Sequence, residues 1–258
     1  MADLYDYPEI YDERFTERAH QVYKNHYEKI FAGIDIHSIL DCSFGTGCLT
    51  FPLVDLGYEV SGSDISVPML EQAAKKARDK ALSVPLSACD FRELSQHYGQ
   101  QFDCVMSTGN ALAHVSNSDV IKTLHEMDQC INPGGYLYFD SRNWEQSLKN
   151  DQRFLISQPF YRDDGVRVGY VQVWDYHDDG SLTINILHSY EKDGKIFKTN
   201  DFQEHLNPFT LDMVTSELEK MRYSHIIVKP FPWFDDKSFA DTSWYCLLAK
   251  KHNAFSFD

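Results

Sequence analysis

Acidic, amide and glycine residues recur in this chain at the points where apolar runs end. The first run closes on Asp41 and leads into "CSFGTGC", which sets Gly45 and Gly47 on either side of Thr46. The second, "YEVSGSD", ends in Asp64, 17 residues beyond Gly47. The third ends in "SACDF" with Asp90 and Phe91, the fourth in "STGNALAH" with Asn110 and His114, and the fifth in "YFDSRN" with Arg142. Each has a chemistry suited to its type. Glycines let a ligand approach backbone N–H groups that a side chain would screen. A carboxylate placed like Asp64 can accept two hydrogen bonds from a ribose diol. Asp90 and Phe91 suit an adenine amino group and an adenine face, and the small-residue loop around Asn110 admits a ligand closely. An arginine fork at residue 142 can clamp a planar carboxylate through two hydrogen bonds. Asp64 is equally suited to capping a helix; for Arg142 the alternative is a salt bridge between elements.

These residues need a scaffold of strands and helices to hold them. Two amphipathic helical stretches, about residues 12–31, come first. Then "SILDC" reads as a buried strand, residues 46–56 as a helix, "YEVSGSD" as a strand, and residues 67–80 as a helix with Met69, Leu70, Ala73 and Ala77 on one face. "SVPLSACD", "FDCVMST" and "GYLYFDS" give three more strands, with a helix over "DVIKTLHEMDQCI" and an Asn-Pro-Gly-Gly turn before the last. Short apolar strands separated by such helices indicate crossover units around a mainly parallel sheet covered on both faces. Between residues 151 and 207 the pattern changes to strands joined by Asp-Gly turns, an antiparallel set. A helix over residues 210–221 and the strands "HIIVKPF" and "SWYCLLAKK" finish the fold.

Composition narrows the ligand class. The chain has 258 residues, with 39 Asp and Glu against 24 Lys and Arg, for a formal net charge of −15. Such a surface repels polyanions, so neither nucleic acid nor an anionic membrane is an expected partner. The six cysteines form no CxxC pair and no ligand cluster; buried reduced thiols are expected, and no metal. The opening "MADLYDYPEIYDERF" lacks the basic and apolar regions of an export signal, and no apolar run approaches the ~20 residues of a membrane span. A cytoplasmic protein is the expectation.

Taken together, the strand-end residues resemble the class I S-adenosylmethionine-dependent methyltransferases, most fully over residues 38–140. The resemblance implies a mainly parallel, seven-stranded, Rossmann-like sheet with helices on both faces and an antiparallel insertion after strand 5. Residues 1–150 and 208–258 would form the cofactor-binding core with an N-terminal helical cover, and 151–207 the substrate-side insertion. It implies S-adenosylmethionine as cofactor and S-adenosylhomocysteine as product. Asp41 would orient the methionine amino group, Gly45, Thr46 and Gly47 lie against the cofactor, Asp64 hold the ribose, and Asp90 and Phe91 bound the adenine. Met69 is expected beside the adenine or in the core. Ser43 stands where the family more often has glycine, and the Gly-x-Gly-x-x-Gly of dinucleotide binders is absent.

A narrower likeness is carried by "STGNALAHV" and "YFDSRNWEQSL". Both are similar to segments of the glycine and sarcosine N-methyltransferases, with Ala111-Leu112 in place of Ser-Phe and Trp144 in place of tyrosine. The resemblance assigns the acceptor carboxylate to Arg142 and the amine region, beside the cofactor, to Asn110. It implies a small-molecule acceptor, an amine bearing a carboxylate such as glycine or sarcosine. His114 and the tyrosines Tyr5, Tyr7, Tyr11, Tyr170 and Tyr190 could accept amine protons or surround a cationic product, with Tyr7, Tyr11 and Tyr190 favoured. The alternatives are another small acceptor, such as an amino sugar or a carboxylate-bearing metabolite, and a non-catalytic cofactor-binding regulatory module.

Overall fold

The computed structural model describes residues 3–232 and 238–252. Two helices come first, α1 (Pro8–Asp12) and α2 (Glu17–Ile30), the latter capped by the Thr16 hydroxyl on the Ala19 amide. Strand and helix then alternate as β1 (Ser38–Asp41), α3 (Phe51–Asp55), β2 (Glu59–Asp64), α4 (Val67–Asp79) and β3 (Leu86–Ala88). They continue as α5 (Leu94–His97), β4 (Phe102–Ser107), α6 (Asn117–Gln129), β5 (Ile131–Arg142) and α7 (Trp144–Lys149). Ser66 and Ser116 cap α4 and α6. Each helix buries one stripe: Met69, Leu70, Ala73 and Ala77 on α4, and Val120, Thr123, Leu124 and Met127 on α6.

The helix expected over residues 46–56 is confined to α3. Gly45 and Gly47 have φ of +54° and +77°, outside the helical region, so residues 45–50 form turns instead. The Gly47 carbonyl accepts from the Thr50 and Phe51 amides, and regular helix starts only there.

Antiparallel strands follow: β6 (Phe154–Ile156), β7 (Phe160–Tyr161), β8 (Arg167–Tyr176), β9 (Leu182–Lys192) and β10 (Lys195–Leu206). The chain returns through α8 (Leu211–Lys220), β11 (Tyr223–Pro230) and β12 (Trp244–Lys251). The main sheet has seven strands in the order β11-β12-β5-β4-β1-β2-β3, and it is mixed. Ladders from β3 to β5 are parallel, while β5–β12 and β12–β11 are antiparallel. The expected parallel character therefore holds for the β1–β5 block alone.

Successive residues of a strand face opposite ways, and the core divides accordingly. Ile39, Cys104, Met106, Tyr138 and Leu248 join one apolar cluster with Tyr27, Ile30, Phe51 and Ala73. Leu40, Val105, Leu137, Phe139 and Leu247 join the other, with Leu124, Val214, Trp174, Ile184 and Phe202. The second sheet thus packs its inner face into the same cluster as α6 and α8. Strand order reverses between β1 and β4, the point at which open α/β sheets form a crevice beyond their carboxyl ends.

Candidate functional site

Two cavities meet at that crevice. The larger, about 850 Å³, is lined by Ser43, Gly45, Thr46, Asp64, Met69, Asp90, Phe91, Gly109 and His114, among others. The smaller, about 420 Å³, is lined by Arg14, Tyr23, Asn110, Asp140, Arg142, Tyr170, Gln172 and Trp244. Tyr5, Tyr11, Leu49, Gly109, His114 and Glu204 belong to both walls.

The turn at residues 45–47 is tightly held. Asp64 accepts the Gly45 amide at 2.7 Å and the Ser66 amide at 2.8 Å, tying the first turn to the start of α4. Burial raises the Asp64 pKa. Phe44 packs over Gly62, where an added Cβ would lie 2.3 Å from its ring. At Gly47 a Cβ would lie 2.5 Å from Phe51 and 2.6 Å from Phe44, at a φ that L residues disfavour. Gly47→Ala should therefore lower stability by about 2–4 kcal/mol, from left-handed strain plus overpacking. A thermal melt within a degree of the parent would contradict this.

Asp41 does not reach the cavity. It is fully buried, and its carboxylate accepts the Ser43 amide at 3.0 Å, the Thr108 hydroxyl at 2.9 Å and the Thr50 hydroxyl. Burial pushes its pKa up to about 6. Asp41 thus braces the loops that border the cavity from behind. Asp90 lines the larger cavity but is engaged by Arg92, whose Nη2 lies 2.6 Å from Oδ2, and this pairing lowers its pKa. Met69 is 1% exposed and meets the cavity beneath Gly45, so it is both core and wall. Thr46 donates to Asp12, which also receives Cys48, Gln72 and Lys76 and so fastens α1 beside the cavity.

The smaller cavity holds Arg142. Its guanidinium lies 4.6 Å from the Trp174 ring centroid, 5.2 Å from Trp244 and 5.7 Å from Trp144. No carboxylate among the described residues pairs with it within 4 Å. Burial lowers its pKa to about 10, which leaves it charged at neutrality. Asn110, at φ +66°, turns its side-chain oxygen back to accept the Ser141 hydroxyl at 2.9 Å and the Arg142 amide at 3.1 Å. Asn110 lines the smaller cavity, between Gly109 and Ala111 of the larger cavity's wall.

Asp140 was not singled out by sequence reasoning. Its Oδ1 accepts the Gly109 amide and the Trp244 indole N–H, each at 3.0 Å, while Oδ2 has no hydrogen-bond partner. Burial pushes its pKa up to about 7, against roughly 3.9 in an unfolded chain. Between those values the folded chain holds a proton that the unfolded chain has released, so this carboxyl costs stability as pH rises from 4 to 7. Asp140→Asn keeps the oxygen that serves Gly109 and Trp244. Its melting temperature relative to the parent should climb between pH 4 and pH 8; a difference constant across that range would refute the assignment.

Among the tyrosines, Tyr11 lines both cavities, as does Tyr5, whose hydroxyl lies 3.1 Å from His114 Nε2. Tyr7 is 43% exposed and packs on Phe202, outside both cavities. The 3₁₀ turn Leu4–Asp6 directs Tyr5 inward in its place. Tyr190 is buried but donates to Glu13 at 3.0 Å, away from either cavity. Neither Tyr7 nor Tyr190 is a wall residue. Arg14 and Glu204 were missed, because only tertiary packing brings them to the cavity, and no local pattern marks them.

Residues 39–135 match the family model described as "Methyltransferase domain". A glycine/sarcosine N-methyltransferase from Aphanothece halophytica is 32% identical over 124 residues, 48% of this chain and 46% of the relative. One from Parasynechococcus marenigrum is 28% identical, over 86% of this chain and 74% of the relative. The chain spans about half the length of the first curated relatives it matches. A solved S-adenosylmethionine-dependent methyltransferase from Clostridium acetobutylicum superposes with a TM-score of 0.75 at 19% identity, covering 96% of this chain and 98% of that one. An amino pentose methyltransferase from Micromonospora echinaspora superposes with a TM-score of 0.72 at 17% identity, over 95% and 96% of the two chains. Residues 39–135 are thus similar to a methyltransferase domain, and the chain as a whole shares the fold of these two solved structures. Among the described residues, no helix is long and apolar enough to cross a membrane.

Proposed function

We propose that this protein is an S-adenosylmethionine-dependent N-methyltransferase whose acceptor is a small amine bearing a carboxylate, glycine and sarcosine being the simplest members of that class. The observation that carries the reading is Arg142: in a chain with 39 acidic residues, its guanidinium has aromatic neighbours and no acidic partner among those described. An enclosed, unneutralised cation is costly unless an anion arrives.

The larger cavity fits the cofactor. Each Asp64 oxygen accepts one backbone N–H and keeps a further lone pair for a ribose hydroxyl. Phe91 and Met69 offer apolar faces to a base, and the turn at Gly45 brings backbone to the wall. When bound, S-adenosylmethionine supplies a methyl group already activated on a sulfonium. The protein's task is then to orient the acceptor and exclude water. Arg142 anchors the carboxylate, the junction at Gly109 sets the direction of approach, and Tyr5 and His114 stand where an amine proton would leave.

The cations near the outer insertion favour this over a nucleotide-linked amino sugar. Arg162 pairs with Glu13 and Asp164, and Arg167 with Glu191, which leaves them engaged rather than offered to a diphosphate. An open second cavity likewise favours catalysis over a purely regulatory role. The deciding experiment is transfer of labelled methyl to a panel of glycine, sarcosine, dimethylglycine, amino sugars and peptides. Incorporation is expected in carboxylate-bearing small amines; label found only in amino sugars or peptides would overturn the proposal.

A further inference from the structure

Arg142 is not the only unneutralised cation in the smaller cavity. Arg14, contributed by the N-terminal cover, lines the same wall, and its guanidinium lies 4.7 Å from the Tyr170 ring centroid and 5.8 Å from that of Tyr11. Its Nε is buried without a hydrogen-bond partner, and no carboxylate among the described residues pairs with it. Glu204 is the acid whose field reaches both guanidinium groups, and it forms an ion pair with neither.

The two arginines stack at different places on one strand face. Tyr170, Gln172 and Trp174 alternate inward along β8. Their side chains are linked: Gln172 Nε2 donates to the Tyr170 hydroxyl at 2.6 Å, and the Trp174 indole N–H donates to Gln172 Oε1 at 3.1 Å. Arg14 stacks on the first ring of this series and Arg142 on the last. The Cα positions of Tyr170 and Trp174, four residues apart on β8, lie about 13 Å from each other. The cavity that holds both guanidinium groups has a volume of about 420 Å³.

We propose that Arg14 is a second anion anchor of this cavity, and that the acceptor is an amine carrying two acidic groups, one for each guanidinium. This rests on the reading of the smaller cavity as the acceptor site. An amino dicarboxylate, with its amine between the acids and directed toward Gly109, is the class that fits. Two separated cations discriminate by chain length, because a diacid too short to span them engages one alone.

The test is calorimetric titration of the full chain, with and without S-adenosylhomocysteine, using amine-free probes. Acetate and propionate carry one acid; malonate, succinate and glutarate carry two at increasing separation. At least one diacid should bind about tenfold or more tightly than either monoacid, the scale of one added charged hydrogen bond. Arg14→Gln should erase that margin and leave propionate unchanged. The proposal is overturned if monoacids and all diacids bind the unmodified protein within about threefold of one another. It is also overturned if Arg14→Gln weakens acetate and diacids alike, since both arginines would then grip one carboxylate. If no acid binds while S-adenosylhomocysteine does, the carboxylate reading of the cavity fails with it, a result distinct from equal affinities. Because the ligand series is run on the unmodified chain, poor folding of the variant would not rescue the proposal.

Discussion

Replacing Arg142 by alanine will raise the acceptor KM about 100-fold and leave cofactor affinity within about twofold. Hydrogen bonds to charged groups contribute roughly 1.5–3 kcal/mol each, and a carboxylate clamp makes two of them, so a net loss near 3 kcal/mol is the natural scale. The guanidinium lines the smaller cavity and is absent from the wall of the larger, so the two ligands should respond separately. Removing it also relieves an enclosed charge among Trp144, Trp174 and Trp244, so the variant should melt no lower than its parent. Steady-state kinetics on carboxylate-bearing and carboxylate-free amines decides the matter. Equal losses on both kinds would remove Arg142 from acceptor recognition.

Asp64→Ala is expected to act on the other ligand, weakening cofactor binding about 100-fold by calorimetry. The carboxylate both faces the larger cavity and accepts the Gly45 and Ser66 amides, so truncation removes the proposed ribose contacts and unties the turn that surrounds them. Asp64→Asn separates these roles. It preserves one amide acceptor but presents an N–H where Gly45 or Ser66 also presents one, and it should fall between the parent and the alanine variant. Unchanged affinity in Asp64→Ala would exclude the ribose role.

Strand ends were legible in the sequence because each requires only an apolar run followed by a change of residue type. Asp64, Phe91 and Gly45 accordingly fall at one crevice, whereas Gly47, in the same turn, packs against Phe44 and Phe51 and lines neither cavity; the apolar stripes of α4 and α6 could be read from spacing alone. Asp41 could be placed at the end of its strand from the sequence, but its surroundings could not. The hydroxyls that surround it come from Ser43, Thr50 and Thr108, and no local pattern reports that convergence. Tyr190 is buried, but farther along the sheet than the cavity wall. It pairs with Val168, whereas Tyr170, beside the cavity, pairs with His188. The course of the N-terminal segment was least accessible. Asp12 is held by Thr46, Cys48, Gln72 and Lys76, contacts between parts of the chain at least 34 residues apart, which no local pattern reports.

The apolar cluster that Phe139 and Leu247 share with Trp174, Ile184 and Phe202 ties the antiparallel strands to the main sheet. An antiparallel cover rooted in the same interior as the sheet is not a cassette to be exchanged whole, because lifting it would strip the sheet of half its lining. If the proposed acceptor site is right, Tyr170 and Gln172, which point inward from β8 into the smaller cavity, are the positions at which single replacements should change acceptor choice without touching the walls of the larger cavity.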